Sequence, residues 1–193
     1  MAIITAPAFG LKQVDWTLDR PAQVNRSAYT GTRTVVANPW HGMWHAKVVL
    51  RTEQGEAAIR TLRGFFASLK GQINTFKLSA VEGPQTGAGA TTASTAATQG
   101  ANSIILASSP AMTAGMLATV TLPSGNLQMV MLTAAIAGST ITFEPPLREA
   151  IGIGAVVDTD NPTCLVALAS SAFGWGVSNW RRYDIAFDVE EAF

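Results

Sequence analysis

With 193 residues, 13 basic and 13 acidic side chains, the chain carries no formal net charge, so no global field recruits nucleic acid or an acidic membrane. Charged residues are 13% of it and hydrophobic ones 48%, against a usual charged share of roughly 25%. A surface so poor in ions is expected to be covered in part by other protein, and the composition reads as that of an assembly component. The single cysteine, Cys164, excludes an internal disulfide and cysteine-only zinc sites. Its neighbours Leu165, Val166, Ala167 and Leu168 mark it as a small buried hydrophobe rather than a catalytic thiol. Residues 1–7 lack a basic leader and a sustained apolar run, and no stretch of about 20 apolar residues is present to span a bilayer. The expectation is a soluble chain made in a reducing cytoplasm, with no membrane partner.

Val14, Trp16 and Leu18 alternate with Gln13, Asp15 and Thr17, which predicts a first strand closed by Asp19-Arg20-Pro21. A second is expected over 32–37, after the Tyr29-Thr30-Gly31 turn. Asn38-Pro39-Trp40-His41-Gly42 is a further turn. From Trp44 to Arg51 the even positions are apolar, the period of a strand with one buried face. Over 53–70 the period changes: Ile59, Leu62, Phe66 and Leu69, with Phe65 and Ala58 beside them, line one face of a helix. Glu53 and Glu56 fall in its first turn and Lys70 in its last, Glu56 and Arg60 form an i,i+4 pair, and Gly71 stops it. Alternation returns over 75–81, with Phe76, Leu78 and Ala80 on one side. This strand, helix, strand unit is the expected organising core, with the Phe66 and Leu69 face laid on both strands.

After Glu82 the chain turns to Gly, Thr, Ala and Ser through Gln99-Gly100, too little bulk for a packed interior, and reads as a loop or linker. Short β-type runs follow at 103–107, 117–122, 127–133, 140–143 and 155–158, as in a small sandwich or barrel. Tyr183, Ile185, Phe187 and Val189 alternate with polar or small residues and give the clearest strand of the chain. The fold class expected is α+β, mainly β. A β-sandwich-like domain with one packed helix, formed by 1–82 plus 165–193, is interrupted at 83–164 by a small β-barrel or sandwich module with the low-complexity loop 84–100 leading into it.

No nucleophile elbow, phosphate-cradling glycine loop or zinc-protease helix motif is present. His41 and His45 have a metal-pair spacing, but Pro39 and Gly42 argue against the helix that would place them together. Asp158-Thr159-Asp160-Asn161 lacks the glycine and distal glutamate of a calcium loop and reads as a solvated turn. Glu190 and Glu191 point to opposite faces of a strand, so terminal solvation or an inter-subunit ion pair is expected of them. No catalytic residue, metal or cofactor is assigned, and the chain is read as a non-enzyme.

Several stretches together resemble the distal tail proteins of long, flexible-tailed bacteriophages: Arg26-Ser27-Ala28-Tyr29-Thr30-Gly31 before a strand, Trp44 heading another, and Phe65-Phe66-Ala67-Ser68-Leu69-Lys70-Gly71 followed by Phe76-Lys77-Leu78. Phe143-Glu144-Pro145-Pro146-Leu147-Arg148, Gly154, Asn161-Pro162 and the closing run from Ile185 to Ala192 also fit. The resemblance implies a homo-oligomeric ring, commonly a hexamer, in the virion tail, assembled in the host cytoplasm. It would join the tail tube protein to the baseplate hub and receptor-binding proteins, and its channel would pass DNA or the tape-measure protein. Candidate lateral contacts are Trp40, the helix's outer Arg60 and Arg63, and the Arg181-Arg182 pair. The alternatives are a carbohydrate-binding module of a tail tip and a tail-completion or head-to-tail joining protein.

Overall fold

The computed structural model describes residues 1–8, 10–37, 42–178 and 182–193. Strands β1 (Ile3–Ile4), β2 (Leu11–Asp19), β3 (Ala22–Arg26), β4 (Arg33–Ala37), β5 (Met43–Leu50) and β6 (Glu53–Gln54) precede the helix α1 (Glu56–Leu69), and β7 (Thr75–Ser79) follows it. The middle of the chain holds β8 (Ala90–Thr92), β9 (Ser103–Ile105), β10 (Leu117–Thr121), β11 (Leu127–Leu132), β12 (Thr140–Glu144) and β13 (Val156–Asp158). Then come β14 (Thr163–Leu168), β15 (Gly176–Ser178), β16 (Arg182–Asp184) and β17 (Ala186–Glu191). The fold is α+β and mainly β, with sheets arranged as half-barrels or sandwich layers.

The main sheet has the order β1-β7-β14-β17-β5-β2. The organising unit therefore differs from the one its periodicity suggests. The strands flanking the helix are not neighbours, because β14 and β17, contributed from beyond residue 160, lie between them. Alternation sorts the faces as expected: Trp44, Ala46, Val48 and Leu50 point inward from β5, opposite Leu18, Trp16 and Val14 of β2, and next to Val189 and Phe187 of β17. On this concave face α1 buries Ile59, Leu62, Phe65, Phe66 and Leu69. Phe66 stacks on Phe173 at 3.7 Å and meets Phe187 edge-on at 4.9 Å, while Phe65 meets Phe76 at 5.3 Å.

The helix begins one turn later than its pattern suggests, since Glu53 and Gln54 pair with Tyr183 and Arg182 as a short strand instead. Lys70 already takes a left-handed conformation (φ 51°) and Gly71 follows at φ 68°. A side chain at Gly71 would also stand a tight 3.3 Å from Ser171 Cα, which adds to the preference for glycine that the positive φ sets. Asn74 then ties the helix end to the N-terminal segment, donating from its amide to Ser68 O at 2.9 Å and accepting from Ala2 N–H at 3.1 Å.

Between β7 and β14 the chain builds a second ladder, β8-β13-β10-β11-β12-β9. Its two outer strands meet at the Ala93–Leu106 bridge, which closes it on itself. The Thr/Ala-rich stretch is thus not a linker: residues 90–92 are a strand of this small barrel, and Ala93 is buried within it. The neighbouring strands fill the interior with Ile104, Leu106, Val120, Val130, Ile141 and Phe143. A narrow barrel needs small residues where walls converge, so low bulk at this edge is compatible with a packed interior.

The C-terminal alternating run is also divided. Residues 182–184 belong to the three-stranded sheet β15-β16-β6 and 186–191 to the main sheet, with Ile185 carrying the crossing by accepting Leu50 N–H at 3.0 Å. Phe66→Ala is expected to cost about 3–5 kcal/mol, because it removes the ring shared by Phe173 and Phe187. Urea unfolding measures this, and a loss under about 1 kcal/mol would show that the aromatic cluster is not the centre of the fold.

Candidate functional site

Two surfaces of the main domain have unmet pairing capacity. The first is the hairpin β3–β4, whose register pairs Val24 with Val35 and Arg26 with Arg33. Ser27 shapes its tip, accepting Gly31 N–H through its carbonyl and Thr30 N–H through its hydroxyl, while Gly31 sits at φ 68°. Every residue from Asp19 to Val36 is exposed. Val24 and Val35 remain 47% and 46% open, and Tyr29 at the tip is fully accessible at 101%. A two-stranded ribbon with no covered face is marginal by itself in water, which makes this arm a candidate contact element. Between Arg20 and Thr52 the sequence has no acidic residue at all.

The second is the outer layer of β2, β5 and β17. Register aligns Asp15, Lys47 and Asp188 in one row, Thr17, His45 and Glu190 in the next, and Asp19 with Met43 beyond. These rows carry four carboxylates against one lysine, and no ion pair engages any of the four among the described residues. The nine-residue β2 also ends the sheet, so one side of its backbone is unpaired, an open template for another strand. A cleft of about 720 Å³ lies between that edge and the end of β7, lined by Trp16, Lys12, Arg51 and Glu82 among others.

The barrel is docked on the sheet through a junction of named contacts. Trp44 Nε1 donates to Met129 O at 2.8 Å, Thr119 Oγ1 bonds Thr163 O at 2.7 Å, and Arg20 pairs with Glu144 at 2.8 Å. At its centre Arg148, from the barrel, donates to Gly42 O, pairs with Glu191 Oε2 at 2.9 Å and carries the Phe193 ring 3.4 Å from its guanidinium carbon. A side chain at Gly42 would stand 2.6 Å from Pro145 Cβ, so this close approach requires glycine. Buried Gln128 holds the loop that presents Arg148, donating to Pro146 O at 2.7 Å and accepting Arg148 N–H at 2.9 Å.

Glu191 is therefore neither solvated nor inter-subunit, as its terminal position suggests, but buried and paired within the chain. Burial drives its carboxyl up to about 6 despite the attraction of Arg148 and the Trp44 N–H, and burial likewise lowers the Arg148 guanidinium. Cys164, fully buried beside them, is pushed well up by desolvation and then by Glu191, which suits packing and not nucleophilic attack. Asp160 also departs from the solvated turn: its Oδ1 accepts the N–H groups of Thr86 at 2.9 Å and Gly87 at 2.7 Å, which hold its carboxyl below the usual range and stitch the two connections of the barrel together.

Of the expected contact residues, Trp40 and Arg181 lie outside the described residues, as does His41 of the histidine pair. Arg60 is on the open side of α1, its side chain 76% exposed and 4.0 Å from Glu56. Arg63 is engaged within the chain, 2.7 Å from Glu56 and over the rings of Trp175 (4.6 Å) and Tyr183 (5.4 Å), so it ties these two residues to the helix. Arg182 is exposed on β16. Sequence patterning does not pick out Arg33, and it names Arg26 and Arg148 only within the stretches that carry the resemblance, although Arg26 and Arg33 flank the Tyr29-Thr30-Gly31 turn and pair across it. No cluster of three or more metal-binding side chains occurs among the described residues, and no described helix is long and apolar enough to cross a membrane. No family model and no curated protein matches the chain.

The pH dependence of the junction follows from Glu191. Because its folded value lies above the ordinary 4.5, the favourable contribution is fully present below pH 4.5 and is lost as pH rises through about 6, a change of about 2 kcal/mol. Urea unfolding as a function of pH should show this decline in the parent chain and its absence in Glu191→Gln. Equal slopes in the two proteins would contradict the assignment.

Proposed function

We propose that the protein is a non-enzymatic structural component of a phage tail, a homo-oligomeric ring at the distal end that joins the tail tube to the baseplate hub and receptor-binding proteins. The observation that carries this reading is the fully exposed β3–β4 arm standing next to the unpaired β2 edge. An arm offset from its receiving face is suited to head-to-tail contacts, which close into rings when the rotation permits. The low charge content agrees, since lateral faces buried in an assembly need few ions. Six subunits is the number that the family resemblance implies.

In the ring the Arg148–Glu191 junction acts as a fixed bracket, setting the barrel at one attitude to the ring-forming sheet. The barrel then serves as the docking module for neighbouring tail proteins, and the channel passes DNA or the tape-measure protein. The glycan-binding alternative is less well supported. The only aromatic residue between 83 and 164 is Phe143, which is buried, so the barrel offers a sugar no ring to stack on.

Native mass spectrometry and negative-stain electron microscopy of the purified chain test the reading. A closed ring with a single subunit number is expected. A lone subunit at all accessible concentrations, or hydrolysis of peptidoglycan, would overturn it.

A further inference from the structure

We infer that the β3–β4 arm docks on the acidic outer layer of β2, β5 and β17 in a second copy of this chain, an inference that rests on the ring reading and names its lateral contact. Alternation puts Val24 and Arg26 on one face of the ribbon with their partners Val35 and Arg33. That face is half apolar and half cationic. Two arginines directly opposed across a strand pair repel each other, and no ion pair neutralises either of them among the described residues. The arm therefore carries an uncompensated pair of positive charges beside an exposed valine pair.

The complement is on the same molecule, yet the arm does not cover it, since every residue from Asp19 to Val36 stays exposed. The outer rows offer Asp15, Asp19, Asp188 and Glu190, with Val49 and Ala186 adjoining them in register. The dimensions agree. The five-residue ribbon and the five-residue strip from Asp15 to Asp19 are each about 14 Å from end to end. A second copy fits better than a nucleic acid, because two arginines make too short a track for a phosphate backbone and the valines would gain nothing from one. The contact is heterologous, arm of one subunit to sheet of the next.

The test is charge exchange, read by light scattering at matched concentrations in low and high salt, with thermal melting to confirm that each variant folds. Arg26→Glu/Arg33→Glu is expected to weaken self-association at least about a hundredfold, and Asp15→Lys/Asp188→Lys to do the same, because each sets like charges face to face. The chain carrying all four substitutions, and an equimolar mixture of the two double variants, should both regain assembly. If either double variant assembles like the parent, or neither recombination restores assembly, this contact is wrong while the ring reading survives. A parent chain that never self-associates sinks the ring reading itself. An arm variant that keeps its mass but loses affinity for a labelled single-stranded oligonucleotide would overturn the inference in favour of nucleic acid.

Discussion

The constraint on which the rest of the structure depends is that the concave face of the main sheet must be kept from water over its whole length. All six of its strands turn apolar side chains inward, and one helix of 14 residues is too short to cover them all. The helix seals one part with its phenylalanines. The barrel seals the other, setting Met129 into the same core and Leu117 and Met131 against it. The inserted module is thus a lid on the core and not a pendant, which accounts for the density of hydrogen bonds at the junction. Burying an ion pair there gains little net stability, since desolvation offsets attraction. Its geometry nevertheless fixes one relative orientation, because Arg148 must reach Gly42, Glu191 and Phe193 together.

Once both ends of the concave face are covered from within the chain, the surface left for partners is limited to elements that project or end the sheet. The arm and the β2 edge satisfy that description, and the helix does not. Arg63, Glu56, Tyr183 and Trp175 form a cluster on part of its outer side, while Arg60, Ala57 and Thr61 face solvent. The arm and the outer rows of the sheet carry opposite signs although the chain's total is zero.

Local periodicity made much of the architecture legible. The inward set Trp44, Ala46, Val48 and Leu50, the helical spacing from Ile59 to Leu69, and the turn-bounded middle strands are each decided within one element, where side-chain period and burial must agree. Features fixed by distant partners were not legible. Glu53 joins a strand because residues 182 and 183 lie beside it. Ala93 is interior because a barrel closes there. Glu191 is buried because an arginine 43 positions earlier reaches it. The arm was half visible: 32–37 and its turn stood out, but Ala22–Arg26 alternates with Gln and Asn and looks like a strand only when aligned with its mate.

Backbone amide exchange followed by mass spectrometry, comparing dilute chain with assembled chain, addresses the central claim most directly. The account predicts rapid exchange over 22–37 in the dilute chain and protection of the same segment on assembly, with the buried strand β14 slow in both. Protection of the arm in a lone subunit, or equally fast exchange before and after assembly, would contradict it.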